Sequence, residues 1–381
     1  MRTSSVTPIA MSSRFLRLCG LATLLALAAC AHRAGISDGT GRGPHLAKSG
    51  VAHVRVAEAF VTAASPGDNV DSPAAWADAD GDVLLIATAK KRGVLKLYDG
   101  NSGEALGEHG GPGSAAGRFD KPNGIFVVGD LLFIVDRGNR RVQVLRLPAF
   151  APLGEFGAGE LRSPYGLWVR ERGPGHYEVI VSDSYIAGID ERGDAIPPPL
   201  AELGERFRRY EVSLADGGVV ADHLGAFGDT TAEGAVRLAE SVWGDPRHDR
   251  LLVSEEEVAV GTALRDYGFD GRYRRTHGRG VFKAQSEGIA LWACDDGSGY
   301  WIATDQFKDR SLFHVFDRAS LDHLGAFAGH TVGNTDGVWL HQPATTRFPA
   351  GVFYAVHDDQ AVGAFDWRDI ARALHLRERC D

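Results

Sequence analysis

The sequence predicts an all-β protein whose strands close into a single six-bladed β-propeller, and three observations support this fold class. Glycine is abundant, at 48 residues, and turn dipeptides are frequent, which favours many short strands over long helices. A short phrase, a polar residue followed by a small residue and an apolar run, recurs six times. Several repeats also end alike, in "APLGEFG", "DHLGAFG" and "DHLGAFA". Three or four strands per unit at this period are typical of propeller blades.

The six phrases mark the first strand of each predicted blade. Their aligned polar residues are Ser72, Asn123, Tyr165, Glu240, Glu287 and Asp336. After each phrase comes a second strand, such as "LLFIVD", "VIVSD", "LLVSE" or "YWIATD", and then a third. In a propeller the first strand of each blade starts near the axis. The six side chains are therefore expected to ring one mouth of the central channel.

The start of the chain has the pattern of an export signal. Residues 1–30 combine arginines with the apolar stretch "LCGLATLLALAAC" and end in Leu27-Ala28-Ala29-Cys30, which resembles the lipobox of bacterial lipoproteins. We expect lipid on Cys30, a tether over residues 31–60 and the propeller over residues 61–376. The alternative is an ordinary signal with an incidental cysteine. The expected location is the bacterial cell envelope, at the outer membrane on its periplasmic or surface face, with the membrane reached only through the lipid.

The rest of the chain has the composition of a globular protein. The net charge is −9 and there is no block of like charge, which argues against nucleic-acid binding. No GxSxG, P-loop or HExxH motif is present in the sequence. Cys294 and Cys380 can form a disulfide, but their spacing does not require one. We expect a monomer.

Three of the aligned polar residues, Glu240, Glu287 and Asp336, are acidic. Brought together at one mouth, these carboxylates would repel one another unless a cation lies among them, and hard oxygen ligands of this kind suit Ca²⁺. The alternative is a solvated rim in which each charge faces water. The five tryptophans that follow the ring positions are expected to pack the blades: Trp76, Trp168, Trp243, Trp292 and Trp339.

An ordered set of phrases resembles the β-propeller phytases. "DSPAAW" with "LLIATAKKRGVLKLYDGNSGEAL" is similar to the opening blade of that family, and "SPYGLWV" to its tyrosine-glycine strand. "QSEGIALWACDDGSGYWIATDQ", "NTDGVWL" and "AFDWRDIARAL" follow in the family's order. The resemblance covers residues 71 to about 374. It implies a calcium-dependent phosphomonoester hydrolase of the 3-phytase type, acting on inositol hexakisphosphate (phytate).

The resemblance also implies roles for particular residues. The implied calcium ligands are Asp71, Glu240, Glu256, Glu287 and Asp336, with Glu255 and Glu257 as alternatives to Glu256. The implied catalytic residues are Glu287, Glu240 and Tyr165, and the implied phosphate-binding residues are Lys90, Lys91, Arg137 and Gln306. The implied cofactor is Ca²⁺, and the implied partner is a phosphorylated small molecule.

The chain departs from the family pattern in its first three blades. Ser72 stands where the family has a second aspartate, and Asn123 lies in a phrase that has lost a carboxylate. The lysine-glutamate pair expected after "VIVSDS" is absent. In its place is the insertion "YIAGIDERGDAIPPPLAELGER", whose proline run predicts a surface loop.

A second resemblance favours other functions. "GRFDKPNGIFVVGDLLFIVDRGNRRVQVL" is similar to the repeat of NHL-type propellers, in which case Arg137 belongs to a structural turn. The alternative to an active hydrolase is therefore a weakened or inactive lipid-anchored propeller that binds a ligand or a protein. A calcium-dependent lactonase is a weaker alternative, since fold alone does not decide function.

Overall fold

The computed structural model of the protein describes residues 43–191, 193–215 and 217–380, and this part of the chain is a six-bladed β-propeller. The fold class predicted from the sequence is confirmed. The predicted signal and Cys30 lie outside the described residues, so lipid anchoring stays a prediction, which fractionation of a Cys30→Ser variant would check. In the described ranges no helix is long and apolar enough to cross a membrane.

Blades 1 and 2 are antiparallel sheets of four consecutive strands. Two short strands, β1 (Val54–Arg55) and β2 (Phe60–Val61), precede them, after a 3-10 turn at Leu46–Lys48. The strands of these blades are β3 (Val70–Ala77), β4 (Val83–Ala89), β5 (Val94–Asp99), β6 (Ala105–Gly110), β7 (Pro122–Val128), β8 (Leu131–Asp136), β9 (Arg141–Arg146) and β10 (Ala151–Phe156). The first strand of each blade is mostly buried and the fourth mostly exposed, because the first strand lies at the axis.

Blade 3 carries the insertion between its second and third strands. Its elements in chain order are β11 (Pro164–Gly173), β12 (His176–Asp183), the hairpin of β13 (Gly188–Ile189) and β14 (Ala195–Ile196), a 3-10 helix (Leu200–Glu205), β15 (Phe207–Ala215) and β16 (Gly218–Phe227). The insertion predicted as a surface loop therefore has structure of its own.

Blades 4 to 6 complete the ring. Their elements are β17 (Ala239–Asp245), a 3-10 turn (Pro246–His248), β18 (Arg250–Glu255), a second such turn (Val258–Val260), β19 (Ala263–Tyr267), β20 (Tyr273–His277), β21 (Gln285–Ala293), β22 (Gly299–Gln306), β23 (Leu312–Asp317), β24 (His323–Ala328), β25 (Val338–His341), β26 (Val352–His357), β27 (Ala361–Asp366) and the helix α1 (Trp367–Leu374). Cys294 and Cys380 form a disulfide, which links the end of the chain to blade 5.

The two short strands at the start of the described chain belong to the last two blades. β2 is the outer strand of blade 6 and pairs antiparallel with β27, while β1 pairs in parallel with β24 of blade 5. Both short strands therefore pair with strands that come more than 260 residues later in the sequence. Residues 31–60 were predicted to be a tether outside the propeller. The described part of this segment instead contributes strands to the sheets of blades 5 and 6.

The small residue of the recurrent phrase is required by close packing at the axis. A Cβ atom on Gly337 would lie 2.5 Å from the main-chain oxygen of Asp71 in the next blade, and one on Gly288 would lie 2.8 Å from that of Asp336. The main-chain N–H groups of both glycines also donate to these oxygens, at 2.9 Å in each case. The contact between Gly337 and Asp71 joins blade 6 to blade 1.

Three aromatic rings from alternate blades fill the axis behind these strand starts. The ring of Phe126 lies 5.2 Å from that of Trp243 and 5.1 Å from that of Trp339, and the two indoles are 5.5 Å apart. The five tryptophans named from the sequence are buried or pack against the core: Trp76, Trp168, Trp243, Trp292 and Trp339. The same three rings line a channel cavity of about 50 Å³.

Candidate functional site

The starts of the first strands place six side chains at one mouth of the channel. These are Asp71, Asn123, Tyr165, Glu240, Glu287 and Asp336. In blade 1 the ring position belongs to Asp71, so the sequence alignment on Ser72 was wrong by one residue. Ser72 takes the place of the small residue instead, and its Oγ donates to Asp71 Oδ1 at 2.7 Å.

A second set of side chains comes from the ends of the second strands. These strands run antiparallel to the first and so finish at the same mouth. The residues at or just beyond their ends are Lys90, Arg137, Ser184, Glu256, Gln306 and Asp359. The site is therefore built from two concentric sets of residues, one from each of the two inner strands of a blade.

An acidic residue near the end of the second strand has a structural role in four blades. These residues are Asp136, Asp183, Glu255 and Asp305, and each accepts main-chain N–H groups from the loop before the first strand of its own blade. Glu255, for example, accepts from the N–H groups of Arg237 and Leu238, at 2.8 and 3.1 Å. This acid fixes the first strand, and the next residue along the chain is left to face the mouth.

That arrangement shows which of the three adjacent glutamates of blade 4 faces the ring carboxyl groups. Glu255 is engaged with the backbone, and Glu257 caps a 3-10 turn by accepting from the N–H of Ala259 at 2.8 Å. Glu256 is the one that interacts with the ring carboxylates. Burial, followed by the neighbouring charge of Glu255, raises the pKa of Glu256 to about 7.

The ring carboxyl groups form hydrogen-bonded pairs. Glu240, Glu287 and Asp336 are all buried, and burial reinforced by neighbouring carboxylates raises the pKa of each well above its usual range. Glu287 shares a hydrogen bond with Glu240, and Asp336 shares one with Asp359. Carboxyl groups this close to one another repel when ionised, so their charged forms are disfavoured unless a cation neutralises them.

Basic side chains lie directly beside these acids. The ammonium group of Lys90 forms an ion pair with Asp71, and its Nζ lies 3.4 Å from Tyr165 Oη. The guanidinium of Arg137 lies 4.7 Å from the centre of the Tyr165 ring. Burial would lower the pKa of Lys90, but the charges of Asp71, Asp336 and Glu240 raise it. Lys90 is therefore a permanent cation among carboxylates.

A second lysine approaches the cluster from blade 5. The Nζ of Lys308 donates to Gln306 Oε1 at 3.2 Å and also donates to Asn334. Gln306 in turn donates to Asp336. Burial lowers the pKa of Lys308, while the surrounding carboxylates, led by that of Asp336, oppose this effect. Gln306 thus lies beside the carboxyl groups rather than among the phosphate-binding cations with which the resemblance places it.

Lys91 does not join the other residues predicted for phosphate binding. Its side chain is exposed on the turn that follows β4, and it makes no hydrogen bond or ion pair within the described ranges. Lys90 and Lys91 are adjacent, so their side chains leave the turn in different directions. Of the two, only Lys90 reaches the ring.

The chemistry of the donor set suits a hard cation, although the side chains are not yet arranged as a metal site. In residues 43–380, leaving aside positions 192 and 216, no three His, Cys, Asp or Glu side chains form a group that could hold a metal ion as it stands. Lys90 pairs with Asp71, and the pKa values of Glu240, Glu287 and Asp336 are raised by burial and by one another's charges. Both polar atoms of the buried Asn123 amide lack a partner in the described structure, which leaves a ring donor free. The Asn123 amide oxygen and the ring carboxyl groups are the oxygen donors of this set that would suit a hard cation.

Sequence reasoning missed three residues of the site, Ser184, Lys308 and Asp359. Ser184 directly follows the second strand of blade 3, the position that supplies Arg137 in blade 2, so the repeat rule applied to the second strands would have found it. In blade 6 that rule points to Asp358, and Asp359 lies one residue further along the chain. Lys308 has no counterpart in the other blades, so no sequence signal pointed to it.

Comparison with known proteins assigns no family to this chain. No family model matches the sequence, and no curated protein matches it. Among solved structures, hydrazine synthase from Kuenenia stuttgartiensis is 12% identical over 77% of this chain and 75% of that chain, with a TM-score of 0.45. A luciferin-regenerating enzyme is 8% identical over 78% and 91%, with a TM-score of 0.46. The β-propeller domain of Cps50 (Swd1) from Myceliophteria thermophila is 8% identical over 81% and 99%, with a TM-score of 0.43.

Proposed function

We propose that the protein is a calcium-dependent phosphomonoester hydrolase of the β-propeller phytase type, with phytate as the reference substrate. One observation carries the proposal. Lys90, Arg137 and Tyr165 lie together at the edge of a buried carboxyl cluster that includes Glu240 and Glu287. Cations beside an acidic, oxygen-rich ring are what phosphoryl transfer requires, because phosphate and metal must be held side by side.

The side chains of this chain have distinct roles in the proposed reaction. Arg137 and Lys90 hold phosphate oxygens and stabilise the negative charge that builds up in the transition state. The hydroxyl of Tyr165 accepts from Lys90 and can donate its own proton to a phosphate oxygen or to the attacking water. Glu240 and Glu287, once deprotonated, would hold the metal together with Asp71, Asp336 and Glu256.

Calcium, when bound, would supply neutralising charge and favour deprotonation of a nearby water molecule. In hydrolysis the water oxygen bonds to phosphorus, the bond between phosphorus and the ester oxygen breaks, and a proton passes to the departing alcohol oxygen. No redox partner is needed. The acids Glu240 and Glu287 must release a proton before they can bind the metal, so calcium affinity is expected to rise with pH.

The test is phosphate release from calcium phytate by the purified full-length protein, with and without a chelator. We expect release with calcium, loss of release with the chelator and a loss of about 100-fold or more in Glu287→Gln, which keeps the shape of the side chain but removes its charge. Glu104→Gln, at an exposed glutamate, is the matched control and should retain activity. Circular dichroism should show both variants folded.

The second candidate function is an inactive propeller that binds a ligand or a protein, and the lysines within the carboxyl cluster favour it. Lys90 and Lys308 already neutralise part of the carboxyl cluster without any metal. If the protein releases no phosphate under any calcium condition, while Glu104→Gln and the parent are equally folded, the hydrolase proposal fails and the binding propeller is preferred. Lactone hydrolysis is the weaker alternative, and a lactone substrate in the same assay separates it.

A further inference from the structure

A cavity of about 220 Å³ lies between the mouth and the insertion of blade 3. Its polar lining consists of Arg137, Tyr165, Ser184 and Glu256, and its apolar lining of Ile186, Ile189, Ala195 and Leu238. We propose that this cavity receives the leaving group of the phosphomonoester substrate and that this group is apolar, an aryl or alkyl group. The inference rests on the proposed function, because it assigns a substrate class to the same site.

The apolar lining is exposed to a degree that calls for a ligand. Ile189 is 65% exposed and Ile186 is 38% exposed, although both line the cavity. Of the eight large apolar side chains that are exposed in the described residues, Ile186 and Ile189 are the two that line this cavity. Exposed apolar groups concentrated at one place mark a surface that is covered in function. An apolar leaving group would cover these isoleucines and gain the free energy of their burial.

The insertion is held firmly, so the cavity is a built feature. Arg206, at the end of the insertion, is completely buried. Its guanidinium donates to the main-chain oxygens of Asp183 and Tyr185 at 2.8 Å each, to that of Val236 at 3.0 Å, and to that of Arg237. The same guanidinium lies 4.3 Å from the Tyr185 ring. Both ends of the insertion are thus tied to the strand ends that form the mouth.

The polar side of the cavity leads directly to the reacting centre. Tyr165 lines both this cavity and the channel cavity, and Arg137 lies over its ring. A phosphoryl group held by Arg137 and Lys90 would therefore place its ester oxygen near Tyr165, with the leaving group directed toward Ile186 and Ile189. A volume of about 220 Å³ holds roughly seven water molecules at about 30 Å³ each, which is room for one aromatic ring system.

The same lining disfavours a leaving group that carries many phosphates. Arg137 is the one cation among the described residues that line the cavity, and Glu256 adds a carboxyl group there. Additional phosphates would meet that acid and an apolar surface, where a charge loses hydration without gaining a partner. The cavity therefore selects monoesters with an apolar group over phytate.

The experiment compares kcat/KM for 2-naphthyl phosphate, glycerol 2-phosphate and phytate, using the full-length protein with calcium. We expect 2-naphthyl phosphate to be preferred over glycerol 2-phosphate by about tenfold or more. Ile189→Ser should raise KM for 2-naphthyl phosphate roughly fivefold to tenfold and leave glycerol 2-phosphate unchanged. Ile196→Ser, on the same hairpin but outside the cavity lining, is the matched control and should behave as the parent.

Binding of 2-naphthylphosphonate, measured by calorimetry, separates the two proposals because this analogue cannot be hydrolysed. If no phosphate is released from any ester but the phosphonate binds and Ile189→Ser weakens its binding, the ligand class is supported and the hydrolase proposal fails. If esters are hydrolysed but phytate or glycerol 2-phosphate is preferred and Ile189→Ser changes nothing, the inference is overturned while the hydrolase stands. Absence of both hydrolysis and binding overturns both.

Discussion

The acidic residues at the mouth keep their protons to unusually high pH because burial and mutual repulsion disfavour their charged forms. These acids are Glu240, Glu256, Glu287, Asp336 and Asp359. Asp71 adds a sixth carboxyl group to the cluster, and the three nearby cations are Lys90, Arg137 and Lys308. If every group were ionised, the acids would outnumber the bases. Under the proposed function, a metal ion that enters the cluster would displace protons from these acids, and this exchange is the residue-scale chemistry of the site.

This exchange predicts how stability depends on pH. Glu240 and Glu287 have a pKa that is raised in the folded state, so their contribution to stability is complete below the ordinary glutamate pKa of 4.5 and is lost as pH rises through the folded value. Glu256, with a folded pKa of about 7, places part of that loss between pH 4.5 and 7. We expect the melting temperature in chelator to fall by several degrees across this range.

Millimolar calcium should reverse most of that fall, because the ion stabilises the ionised carboxylates of the folded state. Differential scanning calorimetry at several pH values, with calcium or chelator, provides the measurement. Glu287→Gln should show a smaller pH dependence in chelator, since one titrating acid has been removed. A melting temperature in chelator that stays constant from pH 4.5 to 7 would contradict the description of the cluster.

At the scale of elements, the second strands of blades 2 to 5 end in two neighbouring residues with different roles, one that binds the backbone and one that faces the mouth. In blade 4, Glu255 binds main-chain N–H groups and Glu256 reaches the cluster; in blade 3, Asp183 binds the backbone and Ser184 lines the cavity. The insertion begins directly after this pair. The element that shapes the cavity therefore departs from a strand end that is already fixed.

Arg206→Ala should loosen the insertion and destabilise the protein. The substitution removes a buried guanidinium and leaves several main-chain oxygens without a donor, at a cost of about 3 kcal/mol in the free energy of unfolding. Hydrogen exchange should rise in peptides covering residues 184–205, and denaturant unfolding should report the change in stability. The matched control is Arg272→Ala, at a side chain that is 87% exposed, which should change neither. Unchanged exchange in Arg206→Ala would show that the insertion is held by other contacts.

At the scale of the whole molecule, the propeller is closed at its axis and at its rim. The first strands contact one another around the ring, and β25 contacts β3 to complete it. At the rim, β2 supplies the outer strand of blade 6. The rings of Phe126, Trp243 and Trp339 fill the axis, so a ligand reaches the carboxyl cluster from the mouth and not through the channel.

Gly337→Ala tests the closure at the axis. The added Cβ would lie 2.5 Å from the oxygen of Asp71 and 2.7 Å from Cα of Ser72, and both are main-chain atoms that move only if the blades separate. We expect a loss of about 2 kcal/mol in stability, together with weaker calcium binding because Asp71 is displaced. Urea unfolding and calcium titration measure the two effects. Gly173→Ala, where the added Cβ has no atom within 4 Å, is the control and should be neutral; equal stabilities of the two variants would refute the packing argument.

The sequence by itself determined the fold class and most of the first ring, because both are local and repetitive. The repeated phrase reflects a packing requirement at the axis, where a small residue such as Gly288 or Gly337 contacts the backbone of the next blade. A rule that each blade must obey leaves a period in the sequence, and a period can be read without any tertiary contact. The same repetition identified Glu240 and Glu287 as neighbours although they belong to different blades.

The tertiary structure decided what does not repeat. The strand register identified Asp71 rather than Ser72 as the ring residue of blade 1, because the pairing of β3 with β4 shifts between Val70 and Pro73 as that of β7 with β8 shifts between Pro122 and Ile125. Lys308 and the cavity of the insertion each occur once, so no other blade predicts them. The pairing of β2 with β27 joins residues about 300 positions apart, and the disulfide selects one arrangement among those that the spacing allowed. Such features depend on which surfaces meet after folding, and that is set by the packing of the whole ring rather than by any local pattern.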